Sequence, residues 1–311
     1  MNILLYRGEA FDPNFYYHAG FDIDHAFLLV GKKLFVSRLN ESLARTKFRG
    51  KTVVYRKPFA ELRKEIKGKT VFADLSSISA KMAQRLGRTF KLKDYSSELL
   101  EKRAKKQKKE VAHIRRAAKL TREILHSLDF RSARTELGLE KQIRVATAEL
   151  GLEPAFDPVV STDSSTSFPH YRASSKKLGS LVLVDCGVKY QHYCADLTRC
   201  FILDGDRKKK QEYEKLQDIC HSIVDELPGL RRGKEVAQLS AKLMKRAGFP
   251  KMIHAIGHGI GLEVHELPKL GKNSKDKIAG TTVAIEPAFY RRYGMRFEED
   301  VYFDGKRARI L

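Results

Sequence analysis

The sequence predicts an α+β chain of two domains, and three observations carry that reading. Short strand-like runs alternate with helical stretches through residues 1–95, a long helical periodicity follows, and the remainder repeats one order of elements twice. We place a small α/β domain with its linker helix at residues 1–110 and a second domain at 111–311. The repeat in the second domain is two helices, an extended segment bearing histidine, and a hairpin with two acids, which predicts a pseudo-two-fold arrangement with a site on its axis. A length of 311 residues with 42% hydrophobic side chains is enough for two cores.

In the first domain Asn2–Tyr6, Ala26–Val30, Lys33–Val36, Thr52–Tyr55 and Thr70–Ala73 read as strands, and Phe59–Ile66 and Ser77–Leu86 as helices. The domain has no phosphate loop, no Gly-x-Gly-x-x-Gly fingerprint and no cluster of His, Cys and carboxylate, and His18 and His25 stand alone. From Ser97 to Leu128 the residues Val111, Ile114, Ala118, Thr121, Leu125 and Leu128 step by three and four without Pro or Gly, which predicts one continuous linker helix. A helix at Thr135–Leu150 stops at Gly151, and an extended polar segment then delivers His170. Two further helices, Lys208–Glu226 and Lys234–Ala247, end at Pro228-Gly229 and at Gly248 and Pro250.

Two apolar hairpins hold the chemistry. In SLVLVDCGVKYQHYCADLTRCFIL, residues 180–203, an index sum of 185 + 196 = 381 predicts a turn at Tyr190-Gln191 and sets Asp185 directly opposite Asp196. Such partners have Cβ atoms about 4.5–5.5 Å apart, where like charges repel. Buried carboxylates that close need shared protons or a cation, and a hard divalent metal is the economical answer. The competing reading is a solvated hairpin with its acids at exposed strand ends. A second pair weighs against it: Glu286 in TTVAIEPAFY and Glu298 in GMRFEEDVYF, again one acid in each arm. Between the hairpins His254, His258 and His265 lie on a glycine-rich, strand-like segment. His254-x3-His258 is not the helical zinc pair, since no Glu follows the first His and Gly257, Gly259 and Gly261 oppose a helix. Nor is the glycine spacing a dinucleotide fingerprint, since no helix start follows it.

No run approaches the roughly 18 uninterrupted apolar residues of a membrane span, and the N-terminus lacks a basic n-region and an apolar h-region, so the expectation is a cytoplasmic protein with no membrane partner. Cys186, Cys194, Cys200 and Cys220 have neither zinc nor disulfide-scaffold spacing and read as core thiols. The net charge is +22, but the lysines are spread over nearly every segment. The densest run, Lys102–Lys109, has no interleaved aromatics and enters an amphipathic helix, so it reads as a solvated face and not as a nucleic-acid surface.

Together, Asp185 and Asp196, the string His254-x3-His258-x2-Gly261-Leu262-x2-His265-Glu266, Glu286-Pro287 and Arg296-x-Glu298 resemble the pita-bread metallopeptidases, the group of methionine aminopeptidase, Xaa-Pro aminopeptidase, prolidase and creatinase. The resemblance covers residues 110–311, and the preceding α/β domain is similar to that of prolidases and Xaa-Pro aminopeptidases. It implies two divalent metal ions per chain, Mn, Co, Fe or Zn, with Asp185, Asp196, His258, Glu286 and Glu298 as ligands. Glu298 is preferred to Glu299 because the family ligand stands two residues after the arginine. It further implies that Glu286 shuttles a proton, that His265 donates to the developing oxyanion and that His170 contacts the substrate. Arg296 would bind a substrate carboxylate or brace the glutamates. Asp163 and Ser165 replace the Gly and Asn usual before the substrate-side histidine. The implied activity is hydrolysis of Xaa-Pro bonds in small peptides by a homodimer, dipeptides first. An Xaa-Pro aminopeptidase on longer peptides is the near alternative, and a non-enzymatic pita-bread binding protein the distant one. A binding protein has no need of mutually repelling acids.

Overall fold

In the computed structural model, which describes residues 1–311, strands and helices alternate through a first unit, Met1–Arg103. Strands β1 (Leu4–Arg7), β2 (Ala26–Leu29), β3 (Lys33–Val36) and β4 (Lys51–Val54) form one sheet in that order, antiparallel except for the parallel β3 and β4. Strands β5 (Thr70–Ala73) and β6 (Lys91–Asp94) form a parallel pair. The helices are α1 (Pro13–Ala19), α2 (Glu41–Lys47), α3 (Pro58–Glu65), α4 (Ala80–Gly87) and α5 (Ser96–Ala104). Of these, α1, α2 and β6 have no counterpart in the sequence reading. The first begins at a capping Asp12 followed by Pro13, a start signal inside an aromatic run.

The expected continuous helix over 97–128 is two helices. After α5 the chain is extended, and α6 (Lys108–His126) starts afresh. The interruption has a tertiary cause that helical periodicity does not contain. The Lys106 N–H donates to Gly280 O at 2.8 Å, and the Lys106 ammonium is buried against the Glu266 carboxylate at 2.8 Å. The Glu110 carboxylate then accepts the Gln107 N–H at 2.8 Å, one half of a capping box that opens α6.

The second unit, Ala104–Leu311, continues with α7 (Phe130–Ala133), α8 (Glu136–Glu149), β7 (Glu153–Pro154) and β8 (Val159–Thr162). The first hairpin comprises β9 (Leu181–Cys186), β10 (Val188–Tyr190), β11 (Tyr193–Cys194) and β12 (Leu197–Ile202). Helices α9 (Arg207–Glu226) and α10 (Gly233–Arg246) follow, then β13 (Gly257–Gly259) and β14 (Glu266–Lys269). The second hairpin comprises β15 (Thr281–Ile285), β16 (Ala288–Tyr290), β17 (Gly294–Arg296) and β18 (Glu299–Phe303), and β19 (Ala308–Ile310) ends the chain. Apolar faces of α9 and α10, with Leu216, Cys220, Ile223, Val236 and Met244, share one core with Leu183, Val283, Ile285 and Val301 of the hairpins. All four cysteines are buried and free, as core thiols. No helix is long and apolar enough to cross a membrane.

The first hairpin departs from its expected register. Asp185 pairs with Thr198 and Lys189 with Cys194, an index sum of 383 in place of 381. The turn is at Gln191-His192, both in the left-handed region at φ 51 and 66°, the geometry whose twist suits a two-residue hairpin. Asp185 and Asp196 are therefore diagonal neighbours on one face, offset by two residues, and not direct partners. In the second hairpin Ile285 pairs with Glu299 and Ala288 with Arg296. Both sums are 584, which places Glu286 across from Glu298.

Candidate metal centre

Strand alternation aims the acids of both hairpins at one place. Asp196, His258 and Glu298 each offer a ligand atom, and these atoms lie within 4.8 Å of one another. His258 is carried on β13, where no side chain fits beside it: a Cβ on Gly257 would stand 1.9 Å from Ala284 O, and one on Gly259 would stand 2.1 Å from Leu267 O. The His258 ring turns its Nδ1 to Gly259 O at 3.1 Å, leaving Nε2 3.6 Å from Asp196 Oδ2. Burial, followed by the neighbouring His265, lowers the His258 pKa to about 4, so the ring is neutral and able to ligate.

Asp185 and Glu286 flank this trio. Asp185 Oδ2 accepts from Arg296 Nη2, and Glu286 stands 3.7 Å from His254 Nδ1. Burial raises the Glu286 pKa to about 7; Arg296 opposes that shift, and Asp185 adds to it. Glu298 is raised well above the usual carboxylate range by burial and then by Glu286 and Asp185, and Asp196 by burial and then by Glu298, Asp185, Asp300 and Glu286. All five expected ligands thus fall in one electrostatic cluster. Glu299 faces the other way, with its carboxylate held by Arg122 at 2.7 Å and by Arg199.

A divalent metal fits this set. The donors are oxygen-rich with one imidazole, their mutual repulsion requires positive charge, and the buried Asp185 Oδ1 and Asp300 Oδ1 have no hydrogen-bond partner in the protein.

Arg296 is buried, at 5% exposure, and its donors go to the protein. Nε donates to Thr198 Oγ1 at 2.8 Å, Nη1 to Tyr290 Oη at 3.1 Å, and Nη2 to Asp185. Thr198 Oγ1 in turn donates to Glu298 Oε2 at 2.6 Å. His265 is exposed, with its ring centroid 4.2 Å from that of His258. His170 is exposed on a turn, near enough to contribute to the lowered pKa of His254, for which burial is the main cause. His254 Nε2 pairs with Tyr290 Oη at 3.1 Å.

The residues absent from the expected site are His254, Thr198, Tyr290 and Asp300. Asp300 is fully buried, and its Oδ2 accepts the Asp196 N–H at 3.0 Å. Only His254 had a local signal, its place four residues before His258. The others become visible through pairing between hairpins.

Residues 112–304 match metallopeptidase family M24. The chain belongs to that family. Among related M24 chains, an uncharacterized peptidase of Methanocaldococcus jannaschii is 32% identical over 218 residues, 66% of this chain and 62% of that protein. An Xaa-Pro dipeptidase of Pyrococcus furiosus is 31% identical over 166 residues, 51% of this chain and 48% of that protein. These matches therefore span less than two thirds of either relative. Among solved structures, an X-Pro aminopeptidase from Thermotoga maritima superposes with TM-score 0.87 at 21% identity, covering 99% of this chain and 94% of that one. The prolidase from Pyrococcus horikoshii gives TM-score 0.85 at 24% identity, covering 99% and 92%. The fold of this M24 member is accordingly the α+β pita-bread fold with its preceding α/β domain.

Proposed function

We propose that the chain hydrolyses Xaa-Pro peptide bonds, dipeptides in preference to longer peptides, with two divalent metal ions held by Asp185, Asp196, His258, Glu286 and Glu298. The observation that carries this is the convergence of Asp196, His258 and Glu298 within 4.8 Å in a pocket of mutually repelling acids. Substrate class is supported by family membership and by relatives named Xaa-Pro dipeptidase.

Divalent metal at such a centre supplies a polarised carbonyl and a water acidified toward neutrality. The side chains do the rest. Glu286, ionised in the loaded site, would take a proton from the attacking water and pass it to the leaving nitrogen. His265, exposed beside His258, donates a ring N–H to the developing oxyanion. His170 meets the substrate from its turn. Of the two roles expected for Arg296, bracing is the better supported, because its guanidinium is occupied by Asp185, Thr198 and Tyr290. The same reading makes the enzyme a cytoplasmic homodimer, which light scattering tests for oligomeric state.

The deciding experiment strips the protein with chelator, restores Mn, Co, Fe or Zn singly, and compares Ala-Pro and Met-Pro with their C-terminally amidated or extended counterparts. The expected result is metal-dependent cleavage at least about tenfold faster for the free dipeptides, about 1.4 kcal/mol in transition-state binding. Equal or faster cleavage of Xaa-Pro tripeptides assigns an aminopeptidase instead, and no cleavage with any metal overturns the reading.

A further inference from the structure

On α10 a cleft of about 610 Å³ opens between the helix, the 249–256 segment and residues 270–272, a volume in the range of small-molecule sites. Its floor is apolar and buried, formed by Met244, Phe249, Ile256 and Leu270. The helix leaves room because Ala237 and Ala241, four residues apart, present only methyl groups to it. Lys245, Lys251 and Lys272 stand exposed among the lining, which contains no carboxylate, and none of the three makes an ion pair. An apolar floor with unneutralised ammonium groups at the rim matches one ligand chemistry, an apolar body ending in an anion.

We propose that this cleft is a second binding site, for a small amphipathic carboxylate, separate from the metal centre. An uncharged apolar ligand would leave the lysines unpaired, and a hydrophilic anion would leave the floor wet, so each half of the ligand is selected by a different part of the lining. The site also has a route to the chemistry. His254 lines the cleft and stands 3.7 Å from Glu286 and 3.1 Å from Tyr290, so an occupant presses on an imidazole beside the proposed proton shuttle.

Decanoate and decanol, both below their aggregation limits, test this by calorimetric titration of the full-length, metal-loaded protein. One decanoate per chain is expected, with decanol at least tenfold weaker. Lys245→Glu/Lys251→Glu/Lys272→Glu should weaken decanoate at least tenfold. Ala241→Phe, at an exposed helix position where the fold tolerates a ring, should abolish binding with the melting temperature unchanged. Asp196→Asn should leave decanoate affinity as it is, which separates the cleft from carboxylate capture by the metal and keeps the result independent of the peptidase reading. The proposal is overturned by equal affinity for decanol, by wild-type affinity in either cleft variant, by loss of binding in Asp196→Asn, or by a dimer that Ala241→Phe splits, which would make a second copy of the chain the occupant.

Discussion

In the first hairpin the residue across from Asp185 is Thr198, whereas the register of the second sets Glu286 across from Glu298. Directly opposed like charges destabilise a strand pair, so the second hairpin depends on protons or a cation for its own pairing. The first sets its two aspartates apart by a two-residue offset, although Asp185 still raises the Asp196 pKa, and the slot thus freed holds a hydroxyl. Arg296, from the second hairpin, then reaches the first: it neutralises Asp185 and donates to Thr198, which donates to Glu298. The difference shows that the two halves are not redundant copies. Both present acids to the site, and the first alone adds a hydroxyl, Thr198, that orients Glu298 of the second.

The largest effect should come from removing a charge at the point where the hairpins meet. Asp196→Asn or Glu298→Gln should lower metal-dependent hydrolysis of Ala-Pro by about 10³-fold or more, since several kcal/mol of charge stabilisation depend on the metal. Each should leave the metal-free protein equally or more stable in urea, because a repelling charge is gone. A large loss of metal-free stability would make the residue a fold determinant instead. Breaking the relay between hairpins should cost less. Thr198→Val strands Glu298 Oε2 and Arg296 Nε and should weaken metal binding by about 10–100-fold, the usual effect of removing a partner of a ligand. Competition against a chelator measures it, and unchanged affinity would remove Thr198 from the site.

Much of this was legible in the sequence because acids in apolar strands and glycines around His258 are local signals. The hairpins and the helices α8, α9 and α10 follow from such signals, whereas the preference for Glu298 over Glu299 rests on the family resemblance. What was not legible depends on partners distant in the chain. A two-residue shift of register is invisible to alternation, since it keeps every side chain on the same face. It moved the turn from Tyr190-Gln191 to Gln191-His192 and brought Thr198, not Asp196, across from Asp185. The break between α5 and α6 rests on Lys106 meeting Glu266, 160 residues away. The engagement of Arg296 by three protein acceptors likewise lies beyond any spacing rule.

The hairpin acids also make the metal-free protein sensitive to pH in an uncommon direction. The folded pKa values of Asp196, Glu286 and Glu298 are raised, that of Glu286 to about 7 from 4.5, so the folded state takes up protons at a pH where the unfolded chain does not. Stability should therefore rise as pH falls from 8 to 6.5, by up to about 1.4 kcal/mol per pH unit for each proton taken up. Below 6.5 the sign is contested: His258 and His254, with lowered pKa values, stay neutral in the fold while unfolded imidazoles protonate. Urea melts at pH 8, 7.2 and 6.5 measure the slope, and metal loading should flatten it by keeping the acids ionised. A metal-free stability that falls between pH 8 and 6.5 would show that the acids are not repelling one another.

The smallest effect concerns the turns, where the hairpins differ again. The first closes with Gln191 and His192, both left-handed, and the second with a three-residue loop, Arg291–Tyr293, in which the Arg291 N–H donates to Tyr293 O at 2.9 Å. A left-handed backbone costs an ordinary side chain about 1–2 kcal/mol, and Asn-Gly is the pair best suited to two such residues. Gln191→Asn/His192→Gly should relieve that strain. The gain is partly cancelled, because glycine adds about 0.4–1 kcal/mol of unfolded-chain entropy. The net expectation is a stabilisation under about 1 kcal/mol, with metal affinity and dipeptide hydrolysis unchanged, since the turn lies beyond the paired segment that sets Asp185 and Asp196. Loss of metal affinity in this variant would mean that the turn, and not the pairing of β9 with β12, holds the register on which the offset between the aspartates depends.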